Sequence, residues 1–265
     1  MNIDESSCNL LEAIKNGLQN DEFKMYLQFI VDNKTKGIVS AEALSRWETS
    51  DGVLVFPGKY IGLMEESGLI TKLDYLMFEK ACQKLEKWVG TEFGEISISC
   101  NFTRITISEP DFAKKINEIA DQYSFDRHNL IMEITEDSIE KNLATAKSNL
   151  LAAKESGFSL ALDDIGSGYT SLRNLCDYPI DIVKLDRAML LLTDTERGKK
   201  LFYGIISLVQ SLEMKIICEG VETEEQNTLV SESDCDLIQG WYYATALSEE
   251  KAEEFARAYR NSDGR

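Results

Sequence analysis

The sequence predicts an α/β fold: a (β/α)8 barrel of TIM type with one antiparallel strand, the first, paired as a hairpin with the second. Three observations predict it. Eight short apolar runs of strand length recur along the chain, helical spacings of three and four separate most of them, and each parallel strand candidate closes on a polar residue.

In chain order, "CNLLEAIKNGL" reads as a leading helix, expected to cap the bottom of the barrel or to link to something upstream. The first strand is "FKMYLQFIV" and the second "GIVSAEALSRW". Only "DNKTK" lies between them, too short for a crossover helix, so the two pair as an antiparallel hairpin. Six more strands follow: "EISISCNFT", "NLIMEIT", "FSLALDD", "DIVKLD", "MKIICEG" and "DLIQGWYYA". The helices between them show apolar stripes at Leu73, Met77, Ala81 and Leu85, at Phe112, Ile116, Ile119 and Tyr123, and at Leu201, Ile205, Leu208 and Leu212. The chain has only 3 prolines and no low-complexity linker, which predicts one domain over residues 1–265. Residues 1–20 are its N-terminal helix, 21–248 the barrel and 249–265 a C-terminal helix. An open doubly wound sheet is the structural alternative.

Composition limits the function. The formal charge of -18, from 46 acidic and 28 basic residues, repels a phosphate backbone and argues against a nucleic-acid polymer as partner. A small anionic ligand stays compatible where a bound cation reverses the field locally. The 6 cysteines form no Cys-x-x-Cys pair and read as reduced core thiols. Neither a leader-like segment nor a membrane-length apolar run is present, so the expected location is the cytoplasm. His128, the 1 histidine, lies in the polar "DRHNL" and reads as a surface residue, leaving imidazole chemistry without support.

The strand ends carry the chemistry. Glu42, Asn101, Glu133, the pair Asp163 and Asp164, Lys184, Glu219 and Gln239 close the seven parallel candidates. In a (β/α)8 barrel these ends converge on one rim. Two unit charges about 4 Å apart repel by roughly 4 kcal/mol at an effective dielectric near 20, so the five carboxylates need positive charge among them. Oxygen donors without His or Cys suit hard divalent ions, Mg²⁺, Mn²⁺ or Ca²⁺. Adjacent aspartates at a strand end serve such a site if the backbone turns there, letting Asp163 bridge two ions while Asp164 reaches the second. Gly166-Ser167-Gly168 lacks the rest of a nucleotide fingerprint and reads as a loop over the rim.

In order, "AEALSRW", "SCNFT", "MEITED", "LDDIGSGYTSL", "IVKLD", "CEGVETEEQ" and "QGWYY" closely resemble the motif series of the EAL domain family, over about Phe23 to Leu247. The resemblance implies a phosphodiesterase that opens cyclic di-GMP to the linear dinucleotide pGpG with two Mg²⁺ or Mn²⁺ ions, Ca²⁺ binding without supporting catalysis. It implies that Glu42, Asn101, Glu133 and Asp163 hold one ion and Asp163, Asp164 and Glu219 the other. Lys184 and Gln239 would sit near the water, Gln28 and Arg46 would contact substrate, and Glu136 would steady the loop after the aspartates. The general base stays open between Lys184 and Glu219. The resemblance also implies a homodimer. The chain reads either as a complete small protein or as a piece of a longer regulator with an upstream sensory or GGDEF-type domain.

The sequence departs from the family pattern at Leu27 and Phe29, where Tyr and Pro are usual, at Ile165 in place of Phe, and at Ala246 in place of Pro. Leu27 and Phe29 bear on the shape of the guanine-side contacts, and Ile165 on loop closure and the dimer. The other function classes are a catalytically inactive cyclic di-GMP receptor acting through a protein partner and a ligand-free interaction scaffold. Loss of Glu42, Asp163 or Lys184 would favour the receptor, and all three are present.

Overall fold

The computed structural model describes residues 5–135, 143–167 and 174–262. All eight expected strands are present: β1 Phe23–Asp32, β2 Ile38–Glu48, β4 Ser97–Phe102, β5 Leu130–Thr135, β6 Ser159–Ile165, β7 Ile182–Leu185, β8 Lys215–Cys218 and β9 Leu237–Gln239. Two strands too short for a periodicity to register, β3 Leu54–Val55 and β10 Leu247–Ser248, extend β2 and β1. The strands run β1-β9-β8-β7-β6-β5-β4-β2, and the β1–β2 pairing closes the ring. β1 is antiparallel to both neighbours, β2 and β9, whereas β2 and β4 to β9 are parallel. The barrel is closed, and the open doubly wound alternative is excluded.

The helices are α1 Glu5–Gln19, α2 Ile61–Ser67, α3 Ile70–Trp88, α4 Arg104–Ile107, α5 Phe112–Ala120, α6 Leu143–Glu155, α7 Asn174–Asp177, α8 Arg187–Leu191, α9 Glu196–Ser211, α10 Glu224–Ser231 and α11 Glu249–Ser262. In α3 the expected stripe of Leu73, Met77, Ala81 and Leu85 is buried. Phe78 from this helix meets Phe102 and Phe158 at ring distances of 5.6 and 5.7 Å, joining the helix layer to the outer face of β4 and to the residue that leads into β6. Burial of each such ring stabilises the fold by about 2 kcal/mol. Of the stripe expected here, Ile205 packs partly against the core, but Leu201 and Leu208 on α9 and Leu212 just past it are exposed, and Phe202, Ile206 and Val209 face the barrel instead.

The leading helix is also placed differently from expectation. An added Cβ at Gly17 of α1 would meet the Trp47 indole nitrogen at 2.7 Å and the Phe23 ring at 3.2 Å, so α1 packs on the upper part of the β1–β2 hairpin. The reason is topological. Because β1 runs antiparallel, it begins at the mouth of the barrel, and the helix before it lies at that end.

Strand alternation separates two surfaces. Outward residues such as Leu27, Phe29, Ile98, Cys100, Leu160, Val183 and Ile216 join the helix-covered core. Inward residues Ile30, Ile131, Ala161, Ile182, Ile217 and Leu237 form a separate apolar layer inside the barrel. Cys82, Cys100, Cys218 and Cys235 are buried free thiols, as expected, but Cys176 is exposed.

Candidate active site

Two residues beyond the apolar layer stand Glu133, Asp163, Lys184, Glu219 and Gln239, following Ile131, Ala161, Ile182, Ile217 and Leu237 along their strands, with Glu219 one residue past the end of β8. Period two therefore aims all five at the barrel axis, one level higher. On the antiparallel strand the count runs backward: Gln28 precedes Ile30 by two and pairs directly with Glu42.

Lys184 occupies the centre. Its Nζ lies 2.6 Å from Glu133, 2.7 Å from Glu219, and 3.4 Å from both Glu42 and Asp163, with the side chain only 1% exposed. Asn101 Nδ2 donates to Glu42 Oε1 at 2.9 Å, and Gln239 Nε2 donates to Glu42 Oε2 at 2.7 Å. Glu42, Glu133, Asp163, Lys184 and Gln239 are buried, Asp164 and Glu219 partly so, and Asn101 is exposed at the rim.

The two aspartates occupy an irregularity in the sheet. Leu162 pairs with Val183 and Ile165 with Leu185, so Asp163 and Asp164 together oppose the single residue Lys184. Asp164 takes φ of 63°, a left-handed conformation uncommon outside glycine. Its N–H donates to Asp163 Oδ1 at 2.9 Å. A β-bulge is thus the turn expected from the sequence, and it brings consecutive side chains to the same end of the strand.

Electrostatics follows from burial and crowding. Burial pushes the Glu133 carboxyl well above the usual range, helped by repulsion from Glu42 and Asp163. Burial likewise takes Glu219 up to about 8, and burial with repulsion from Asp163 takes Asp164 up to about 6. For Glu42, burial is outweighed by the Lys184 ammonium and by hydrogen bonds from Gln239 and Asn101, which hold it below its ordinary value. Burial alone would depress Lys184, but Glu133, Glu219, Glu42 and Asp163 raise it well above the usual amine range.

Divalent cations fit this donor set. All the rim donors are carboxylate or amide oxygens, one ammonium faces four carboxylates, and the buried Glu133 Oε1 has no hydrogen-bond partner among the described residues. Among the described residues, no three of these acids converge on a shared metal-holding point. They are arranged instead around the ammonium.

The remaining expected site residues are dispersed around this group. Gln28 donates to the Ala244 carbonyl at 3.1 Å and lines a cavity of about 280 Å³ together with Glu42, Glu219, Gln239 and Trp241. Arg46, half-buried, donates to the Ser45 carbonyl at 2.8 Å, and its guanidinium lies 5.7 Å from the Tyr26 ring centre and 5.2 Å from that of Phe56. Glu136 lies outside the described residues. Leu27 and Phe29 point away from the site into the core, with Phe29 stacked on Phe255, so they do not shape a ligand surface directly. A roomier cavity of about 660 Å³ lies among α8, α9 and α10 and includes none of the rim residues.

Sequence reading missed three features of the site. Asp74, buried within α3, accepts from Thr103 N–H at 2.9 Å, Thr103 Oγ1 at 2.7 Å and Thr106 Oγ1 at 2.5 Å, fastening the chain just after Asn101. Its signal was an acid in the apolar register of Ile70 and Phe78. Arg187 and Trp241 line the rim cavity, the second 68% exposed immediately after Gln239-Gly240. Trp47, in contrast, is a packing residue stacked on Phe23.

The family profile described as the EAL domain matches residues 11–246. The chain belongs to the EAL domain family. This EAL domain is 30% identical over 250 residues to the cyclic di-GMP phosphodiesterase NbdA of Pseudomonas aeruginosa, covering 94% of this chain and 32% of that protein. It is 29% identical over 236 residues to the cyclic di-GMP phosphodiesterase RocR of the same organism, covering 88% of this chain and 60% of RocR. The EAL domain thus spans less than two thirds of either relative. A solved structure of the PaMucR phosphodiesterase in complex with c-di-GMP superposes with a TM-score of 0.86 at 25% identity, covering 92% of this chain and 99% of that one.

Proposed function

We propose that this EAL domain hydrolyses one phosphodiester bond of cyclic di-GMP to give linear pGpG. The observation that carries the reading is the convergence of Glu42, Glu133, Asp163 and Glu219, from four strands, within 3.4 Å of one buried ammonium at the barrel mouth. Two divalent ions, Mg²⁺ or Mn²⁺, held by Glu42, Asn101, Glu133 and Asp163 and by Asp163, Asp164 and Glu219, would supply a water of lowered pKa and neutralise phosphate charge.

The chain's own residues do the rest. Arg46, steadied by two rings and a backbone carbonyl, presents a fork suited to a phosphate. Gln28 fixes the ligand edge across from Glu42. Lys184, an ammonium among four carboxylates, orients the attacking water and can return a proton to the leaving oxygen, while Glu219 takes the proton of the water. The water oxygen bonds to phosphorus, the bond to the 3′ oxygen breaks, and that oxygen leaves with a proton. Gln239 holds Glu42 in place through its amide N–H. The exposed stripe of Leu201, Leu208 and Leu212 supports a homodimer that covers it.

The test is incubation with cyclic di-GMP and Mg²⁺ or Mn²⁺, followed by chromatography for pGpG. Binding without product transfers the assignment to a non-hydrolytic receptor. Among the described residues no helix is long and apolar enough to cross a membrane.

A further inference from the structure

Arg187 and Glu222 form a pair in the wall of the rim cavity that the proposed chemistry does not use. Arg187 opens α8 directly after β7, and its Nη1 meets Glu222 Oε1 at 2.5 Å, with the two side chains 46% and 25% exposed. The arginine stem lies across bare backbone. Gly220 has φ of 68°, and a Cβ there would fall 2.5 Å from Arg187 Cβ and 2.7 Å from its Cγ. A glycine immediately after Glu219 therefore lets the guanidinium reach the cavity that Glu42, Glu219 and Gln239 also line.

We infer that Arg187 binds the second, non-scissile phosphate of the cyclic dinucleotide, and that Glu222 holds the guanidinium ready until the ligand displaces it. The inference rests on the phosphodiesterase reading above. A cyclic dinucleotide carries two phosphodiesters, so with one at the rim acids the other must enter a cavity whose remaining charged walls, Glu42, Glu219 and Glu222, are carboxylates. Arg187 is the cation in that wall among the described residues. A guanidinium meets a phosphate through two parallel hydrogen bonds, and a partly exposed ion pair is cheap to exchange for it.

The two partners then carry opposite signatures. Arg187→Ala should raise KM for cyclic di-GMP about 10- to 100-fold with kcat little changed, and Arg187→Lys should recover part of the loss. Glu222→Gln should lower KM about twofold to fivefold, because it removes the competing anion. On bis(4-nitrophenyl) phosphate, which has one phosphodiester and no second phosphate, Arg187→Ala should match the wild type. Wild-type melting temperatures in all three variants should accompany these shifts. Equal KM for wild type and Arg187→Ala on cyclic di-GMP overturns the inference while leaving the hydrolase reading standing. So does a parallel loss on both substrates, or a Glu222→Gln variant that weakens as Arg187→Ala does. If the wild type binds cyclic di-GMP without turnover, the same factors are expected in Kd, and their absence overturns the inference. A wild type that neither binds nor hydrolyses it removes both readings.

Discussion

Lys184 Nζ and Glu133 Oε2 meet at 2.6 Å with each side chain 1% exposed, making this the most enclosed ion pair among the described residues of the barrel mouth. Removing one member of a buried pair costs about 3–5 kcal/mol, since the other charge is left in a poorly solvating site. Lys184→Met should therefore lower the melting temperature sharply in chelator, with Mg²⁺ restoring part of the loss. Thermal denaturation with and without the ion checks this. An unchanged melting temperature in chelator would show that the acids tolerate one another without the ammonium.

Glu42 accepts hydrogen bonds from Asn101 and Gln239 and belongs to the rim rather than to either apolar core. Glu42→Ala should bring pGpG formation to background while the barrel stays folded, with a stability loss of about 1–3 kcal/mol from the unpaired Gln239 amide. Circular dichroism alongside the chromatographic assay separates the two effects. Global unfolding would mark Glu42 as structural.

Asp164 tests the trade between strain and function. Its left-handed backbone costs a non-glycine residue about 1 kcal/mol, so Asp164→Gly should raise stability by that order while turnover falls. Denaturant midpoints measured together with activity decide it, and a destabilised glycine variant would contradict the strain account.

Asp74 confers a pH dependence. Burial lifts its carboxyl from 3.8 to about 6 despite the hydrogen bonds from Thr106 and Thr103. Between those values the folded chain holds a proton that the unfolded chain has released. The contribution is complete below 3.8 and is lost as pH rises through about 6. The loss is on the order of 3 kcal/mol. Asp74→Asn should flatten this component of the slope in urea titrations from about pH 4 to pH 7, and an unchanged slope would assign the effect to another group.

The rim was legible because strand alternation carries the same information in sequence and in space. Glu133, Asp163, Lys184, Glu219 and Gln239 each lie two residues beyond an inward apolar side chain, and no tertiary knowledge is needed to align them. Residue type alone did not convey which positive charge sits among the acids. Lys184 is expected on the rim near a water, and the structure adds that its ammonium lies among four of the acids. Periodicity also failed on α9, where two apolar stripes run side by side and only packing decides which is covered. The position of α1 depended on the direction of β1, a property of the sheet rather than of the helix. Arg187 escaped notice because its reach into the rim cavity depends on Gly220, which lies on the next strand's loop and meets it only in the folded chain.

The apolar layer of Ile30, Ile131, Ala161, Ile182, Ile217 and Leu237 seals the lumen directly beneath the acids. The rim cavity is therefore closed from below and open toward the mouth. A ligand held above that floor occupies the space the next one needs, so under the proposed phosphodiesterase reading pGpG should inhibit competitively with cyclic di-GMP.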